Sequence, residues 1–110
     1  MTQAKAAPQT DAFESRWERQ YAQILELRRR SADIDAWVYS PMKLRLADNT
    51  FYTPDFMVVR FDGVIEFHEV KGFWRDDARV KIKVAAKLFP WFKFRAISKI
   101  KGLAYEQEEF

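Results

Sequence analysis

FYTPDFMVVRFDGVIEFHEVKG, residues 51–72, is the stretch of the sequence that decides the fold. An apolar run, residues 56–59, is followed by Asp62 and Gly63 and then by a second run of strand-forming residues. An Asp-Gly pair between two such runs is typical of a β-hairpin. We therefore predict two strands that fold back on one another at Gly63.

Three polar residues of this stretch differ from the apolar residues around them, namely Asp55, Glu69 and Lys71. Glu69 and Lys71 are two residues apart, so on a strand both side chains leave the same face, with Val70 on the opposite one. Asp55 and Glu69 are almost equidistant from the turn, so a hairpin brings them towards one another. The sequence thus predicts two carboxylates and an ammonium group at one end of a small sheet.

Two carboxylates and an ammonium group in one place are able to bind a metal ion and a phosphate. Carboxylate oxygens suit Mg²⁺ or Mn²⁺, which takes its remaining ligands from water and substrate phosphate. Such an ion polarises a phosphoryl oxygen and activates a water nucleophile, while a lysine beside it stabilises transition-state charge. Phosphodiester hydrolysis is the reaction that this set predicts. The alternative is a solvated face, because hairpins with charged strands are common.

Pro54-Asp55, followed by Glu69-Val70-Lys71, resembles the PD-(D/E)XK nuclease signature. The similarity covers residues 13–97, and the similar variants are TnsA-type endonuclease subunits of transposases, Holliday-junction resolvases and small phage-encoded nucleases. It implies an α/β (α+β) fold like that of restriction endonucleases, in which a small mixed sheet with a central hairpin is flanked by helices. It also implies a DNA substrate and Mg²⁺ as cofactor, with Mn²⁺ as its substitute.

Residues 11–30 have the apolar spacing of a helix, with an apolar residue every three or four positions. Either Asp11 with Glu14 or Ser15 with Glu18 would cap its start. Glu14 lies within the apolar stripe and Glu18 on its edge, where a carboxylate needs a partner or a metal.

Residues 15–21, SRWERQY, resemble the first-helix motif of the TnsA-type and related phage nucleases. In those proteins this helix donates a further acidic residue to the metal site, and the spacing favours Glu18, with Glu14 as the reserve candidate. The resemblance therefore implies a catalytic set of Glu18, Asp55, Glu69 and Lys71. The implied metal ligands are Asp55, Glu69, the Val70 carbonyl and Glu18.

The same strand periodicity turns Glu66 and His68 away from the predicted site. His68 is the only histidine of the chain. We expect it to be a surface or sheet-packing residue and not a catalytic base.

The remaining elements are predicted from periodicity and helix-breaking residues. Residues 37–46 indicate a strand in which Pro41 marks an edge or a bulge. Residues 78–89 indicate a second helix that starts after Asp76 and Asp77, and residues 91–97 a last strand. The expected buried face of that helix is Ala78, Ile82, Ala85, Ala86 and Phe89, extended by Val80, Val84 and Leu88.

The length of 110 residues predicts one domain. Its expected limits are residues 11–98, between a disordered leader, residues 1–10, and a loosely held charged tail, residues 99–110. Arg28, Arg29 and Arg30 are expected to end the first helix, where they suit its dipole; contact with phosphate is the alternative.

Positive charge is concentrated after the hairpin. Residues 71–101 carry ten Lys or Arg against two Asp, a net of +8, although the whole chain carries only +3. Such a segment is typical of a polyanion-binding surface, and a solvated lysine-rich helix is the alternative. The residues expected to contact nucleic acid are Arg75, Arg79, Lys83, Lys87, Lys93 and Arg95.

Cellular context and partners follow from the same reading. With no cysteine and no long apolar run, we expect a cytoplasmic protein and no membrane partner. The resemblance implies a bacterial or phage-infected host cell. Cutting both strands with one site per chain favours a homodimer, or a larger recombination or transposition complex. Four aromatic residues would form an interface or core: Trp37, Phe73, Trp74 and Trp91.

The predicted activity is that of a Mg²⁺-dependent endodeoxyribonuclease. The chain leaves little room for elements that read bases, so structure-selective or partner-directed cutting is expected. The alternative is a non-catalytic nucleic-acid-binding subunit of a recombination or transposition complex.

Overall fold

The computed structural model describes residues 13–72 and 76–110, which form a mixed α+β fold. Five strands make one mixed sheet in the order β1-β4-β5-β6-β7, and β2 with β3 makes a second sheet. The elements are α1 (Arg16–Arg30), β1 (Ala36–Tyr39), β2 (Leu44–Ala47), β3 (Thr50–Tyr52), β4 (Phe56–Val59), β5 (Ile65–Val70), α2 (Asp76–Leu88), β6 (Lys93–Lys101) and β7 (Ala104–Glu109).

Strands β4 and β5 form the predicted hairpin. Phe56 pairs with His68 in antiparallel register, and Val59 pairs with Ile65. Gly63 lies in the turn with a φ of 88°, a conformation that glycine adopts without steric cost. The pairing of β4 with β5 begins at Phe56 and not at residue 51, where the predicted stretch begins. Asp55 therefore lies just outside the paired residues.

The single strand predicted over residues 37–46 is wrong. The segment contains β1, which pairs with β4, and β2, which pairs with β3 in the separate sheet. Between them Ser40 has a φ of 50°, and Pro41 restricts the backbone further. A left-handed residue next to a proline ends the extended conformation, so the chain turns out of the large sheet here.

The large sheet carries a hydrophobic core on each face. Helix α1 packs on one face and α2, with the β2–β3 hairpin, on the other, as the two buried clusters and the alternation along β5 show. Buried residues of the α1 side include Tyr21, Leu25, Trp37, Phe56, Val58 and Ile97. Those of the α2 side are Leu44, Tyr52, Phe67, Ile82, Ala85 and Phe94.

The buried face of α2 is narrower than predicted. Ile82 and Ala85 are buried, whereas Val80, Val84 and Leu88 are exposed. Two residues along a helix turn the side chain by roughly 200°. Residues 80, 84 and 88 therefore lie on the side opposite Ile82, and the prediction that they extend the core is wrong.

The C-terminal residues correct the predicted tail and domain limit. Residue 98 lies inside β6, and β7 pairs antiparallel with β6 at the edge of the large sheet. Tyr105 also packs on the α1-side core, with its ring centroid 5.4 Å from that of Tyr21. Residues 99–110 thus belong to the fold and are not a loosely held tail.

Some predictions fall outside the described residues. These concern the leader of residues 1–10, Asp11, Phe73, Trp74 and Arg75. Within residues 13–72 and 76–110, neither helix has the length and apolar character needed to cross a membrane.

Candidate active site

The end of the β4–β5 hairpin brings together the three residues that the sequence singled out. The Val70 N–H donates to Oδ2 of Asp55 at 2.9 Å, which fixes this carboxylate beside the last residues of β5. The Lys71 ammonium lies 3.1 Å from Oε2 of Glu69. The Tyr52 hydroxyl donates to Oε1 of Glu69 at 2.8 Å. The predicted convergence of Asp55, Glu69 and Lys71 is therefore present in the structure.

Helix α1 adds a third carboxylate to this group. Ser15 and Glu18 form the capping box at its N-terminus, one of the two arrangements expected from the sequence. Glu18 is buried, with 8% of its surface exposed, and its charge and hydrogen bonding help to raise the pKa of Asp55. Glu14 is exposed and offers Glu18 only its backbone N–H. Of the two candidates, Glu18 is thus the residue that faces Asp55.

The capping box restricts how Glu18 takes part. Its Oε1 atom accepts the N–H groups of Glu14 and Ser15, at 3.0 and 3.2 Å, and the Tyr39 hydroxyl at 3.0 Å. These bonds hold the carboxylate against the helix N-terminus. Oε2 of Glu18 accepts none of these three hydrogen bonds.

Burial and mutual repulsion change the acidity of the cluster. Burial raises the pKa of Asp55 to about 9, and the nearby charges of Glu69 and Glu18 act in the same direction, while the hydrogen bond from Val70 opposes them. Burial also raises the pKa of Glu69, against the opposing effect of the Lys71 ammonium. Asp55 therefore keeps its proton at neutral pH, because ionising it would add a further negative charge to a cluster that the protein does not fully neutralise.

An excess of buried carboxylate is what a divalent cation relieves. Hard oxygen donors of this kind suit Mg²⁺ and Mn²⁺, and Asp55, Glu69 and Glu18 are the side chains that would hold the ion. Within the described residues, however, no three acidic or histidine side chains are already arranged around one point. The donor chemistry fits a metal, and binding would require these carboxylates to adjust their rotamers.

A cleft opens on the α2 side of the cluster. It has a volume of about 330 Å³, and its walls include Glu69, Lys71 and Tyr52 together with residues of α2. One of these is Lys81, whose ammonium donates to the carbonyl of Phe51 at 3.1 Å. Lys81 was absent from the predicted nucleic-acid contacts. Its place in the cleft depends on α2 lying close to β3, which the sequence does not show.

Tyr39 and Tyr52 are the other site residues that the sequence did not reveal. Each hydroxyl donates to a carboxylate of the cluster. Burial, followed by the charge of Glu69, raises the pKa of Tyr52, so it stays a neutral donor. The signal available in the sequence was weak: Tyr52 lies three residues before Asp55.

His68 and Glu66 lie on the opposite face of β5, under α1, as the strand periodicity predicted. His68 is buried, and its ring nitrogens lie 2.7 Å from the Tyr21 hydroxyl and 2.8 Å from Glu66. Burial lowers the pKa of His68. Burial alone would raise the pKa of Glu66, but its hydrogen bond with His68 and the charge of Arg95 lower it to about 2. We assign an ionised Glu66 and a neutral His68.

This pair is a packing network and not part of the carboxylate site. Of the two alternatives given for His68, sheet packing is confirmed and a surface position is wrong.

The predicted nucleic-acid contacts do not form one surface. Lys83 and Lys87 are exposed on α2. Arg79 of the same helix is paired with Glu108 of β7 at 2.6 Å. Arg95 lies on the other face of the sheet, 3.4 Å from Glu66, and Lys93 lies 3.5 Å from Glu109. The acidic residues of β7 thus neutralise much of the charge that the sequence assigned to one basic track.

The remaining arginine and aromatic predictions are resolved by burial and contacts. Arg28 pairs with Asp33 just after α1, which ends at Arg30 as expected. Trp37 belongs to the core and donates from Nε1 to Glu26 at 2.9 Å. Trp91 is 67% exposed and stays a candidate for an interface.

Comparisons with known proteins leave the resemblance as a prediction. No family model, no curated protein and no solved structure matches this chain. What the structure does show is a mixed sheet between two helices with Asp55, Glu69 and Lys71 gathered at the end of its central hairpin.

Proposed function

We propose that this chain is a divalent-metal-dependent endodeoxyribonuclease that hydrolyses phosphodiester bonds at the end of the β4–β5 hairpin. The observation that carries the proposal is the grouping of partly buried Asp55 with buried Glu69 and Glu18, with the Lys71 ammonium 3.1 Å from Glu69. Carboxylates placed close together away from water destabilise a fold unless a cation neutralises their charge. A sheet end serving only as structure has no need of them.

Each residue has a role that its contacts support. Asp55 accepts the Val70 N–H and Glu69 accepts the Tyr52 hydroxyl, so both carboxylates are anchored at the end of the hairpin where an ion would bind. A divalent ion bound here supplies charge for the phosphoryl oxygens and an activated water. Lys71 would move its ammonium from Glu69 to the phosphoryl group, whose transition-state charge it stabilises.

The cleft beside the cluster supports DNA as the substrate. Its lining includes two cations, Lys71 and Lys81, beside the carboxylates of Glu69 and Asp77, and it opens towards α2. Lys83 and Lys87 lie exposed on the same helix and extend the positive charge away from the site. A phosphate backbone that reaches Lys71 would therefore pass along α2, in the recombination or mobile-element setting that the resemblance implies.

A specific observation favours the second candidate, a non-catalytic nucleic-acid-binding subunit. In the part of the chain that the structure describes, no ready-made metal cluster is found. A protein of this kind would use Lys71, Lys81 and the α2 lysines for binding alone.

Nicking of a supercoiled plasmid separates the two candidates. The wild-type protein is incubated with plasmid in Mg²⁺, in Mn²⁺ and in EDTA, beside Asp55→Asn and the matched variant Asp62→Asn. Asp62 lies in the exposed hairpin turn and pairs with Arg60. The proposal predicts nicking by wild type and Asp62→Asn with either ion, and none with EDTA or with Asp55→Asn. Nicking by Asp55→Asn at the wild-type rate, or plasmid binding without nicking, would overturn it.

A further inference from the structure

A second, smaller cleft lies on the other side of Lys71. It has a volume of about 90 Å³ and is lined by Trp17, Lys71, Gly72, Lys99 and Ile100. Lys71 lines both clefts, so the second one adjoins the proposed cutting site. Its lining combines an indole ring, an aliphatic side chain and two ammonium groups.

The indole of Trp17 belongs to this cleft without being fully buried. It packs partly on the α1-side core, and the Arg16 guanidinium lies 4.9 Å from its ring centroid. A Cβ atom at Gly72 would lie 3.5 Å from Nε1 of Trp17. Glycine at position 72 therefore leaves open the space directly beside the indole.

Ile100 reaches the cleft because β6 is irregular at this point. The register of β6 against β7 shifts between Ser98 and Lys101, and Lys99 has a φ of 55°. In a regular strand, residues 97 and 100 would face opposite sides. Ile97 and Ile100 are nevertheless both buried in the α1-side core.

A left-handed lysine within a strand is uncommon and strained, and bulges of this kind often redirect a side chain next to an active site. The partner of Lys99 is Glu106 at 3.3 Å, and both side chains are largely exposed. Such a surface pair exchanges readily for a phosphate.

From this cleft we infer a binding subsite for one unpaired nucleotide next to the scissile phosphate. Its base lies against Trp17 and Ile100, and its phosphate contacts Lys99. This inference rests on the proposed nuclease function and gives it a substrate class, namely DNA with a single-stranded or frayed nucleotide at the cut. A cleft of about 90 Å³ is too small for a base pair and limits the occupant to a single base.

The test compares two labelled oligonucleotides of equal charge in Ca²⁺: a thymidine 12-mer and a 12-mer of abasic residues. Fluorescence anisotropy gives the Kd of each for wild type, Trp17→Phe, Trp17→Leu and Lys99→Gln. The matched controls are Trp91→Leu, which removes an exposed indole, and Lys101→Gln on the same strand. Circular dichroism melting shows that each variant is folded.

Stacking of one base on an aromatic ring predicts that wild type binds the thymidine 12-mer about 5- to 150-fold more tightly than the abasic one. Trp17→Leu loses this preference and Trp17→Phe keeps part of it, while both leave the abasic Kd unchanged. Lys99→Gln weakens both oligonucleotides and reduces the salt slope by about 0.7. Neither control variant changes the preference.

Equal binding of the two oligonucleotides by wild type would overturn the inference. So would a loss of preference in Trp91→Leu equal to that in the Trp17 variants, or a Lys99→Gln variant with an unchanged salt slope. If Trp17→Leu does not fold, Trp17→Phe and Lys99→Gln decide the result. If the protein nicks plasmid but binds the two oligonucleotides equally, the subsite alone is refuted. If it prefers the thymidine 12-mer through Trp17 but does not nick plasmid, the nuclease proposal is refuted and the nucleotide-binding subsite stands.

Discussion

Replacing Asp55 by asparagine should stabilise the protein at alkaline pH in the absence of divalent ions. The pKa of Asp55 is raised to about 9 in the folded protein by burial and by its acidic neighbours, whereas in the unfolded chain it lies near 4. Between these values the folded protein holds a proton that the unfolded chain has lost. The free energy of unfolding therefore falls as pH rises through this range.

The magnitude follows from the difference in bound protons. One full proton gives a slope of up to about 1.4 kcal/mol per pH unit, so the loss between pH 6 and pH 8 is at most about 2.7 kcal/mol. Asparagine has no proton to lose, and its amide oxygen is able to accept the Val70 N–H as the carboxylate does. Asp55→Asn should therefore lack this contribution to the pH dependence. At pH 8 its free energy of unfolding should be higher than that of the wild type.

Urea denaturation in EDTA at pH 5, 6, 7 and 8 measures the effect. Asp62→Asn is the control, because the hydrogen bond from the Val64 N–H and the pairing with Arg60 lower the pKa of Asp62, so its removal leaves the slope above pH 5 unchanged. Equal pH slopes for wild type and Asp55→Asn would refute the reasoning, since Asp55 would then be ionised in the folded protein as it is in the unfolded chain.

Three further predictions concern other parts of the molecule. Lys71→Ala should lower the single-turnover cleavage rate by about 10²-fold while changing DNA affinity in Ca²⁺ by about one phosphate contact; normal cutting with weak binding would move Lys71 into a purely binding role. The double variant Lys83→Gln/Lys87→Gln should reduce the salt slope of duplex binding by about 1.8, and an unchanged slope would exclude α2 from the DNA path. Tyr105→Ala should lower the free energy of unfolding by about 2 kcal/mol in chemical denaturation, because its ring packs on Tyr21, and no loss would mean that β7 does not stabilise the fold.

Local features of the sequence predicted the central hairpin and, as one of two alternatives, the capping box that begins α1. The turn at Gly63 and the capping box at Ser15 depend on residues a few positions apart, so short-range rules suffice. The division of residues 37–46 into two strands depends on Ser40 adopting a left-handed conformation. That conformation is not evident from the residue type.

Contacts between distant residues explain what the sequence could not predict. Strand β7 is rich in glutamate, so composition suggested a solvated tail, but Arg79, Lys93 and Lys99 pair with its acidic side chains. At the site, strand periodicity placed Glu69 and Lys71 on one face. The hydroxyl of Tyr52, in contrast, reaches Glu69 from a different sheet.

Direct titration of Mn²⁺ tests the metal site most directly, because it needs neither DNA nor cleavage. Calorimetry at pH 7 in two buffers of different ionisation enthalpy gives both the affinity and the number of protons released. Wild type should bind Mn²⁺ and release close to one proton, since the raised pKa of Asp55 keeps it protonated at this pH before the ion binds. Asp55→Asn should show no binding, and Asp62→Asn should behave as wild type. A flat wild-type titration, or equal binding by Asp55→Asn, would contradict the account.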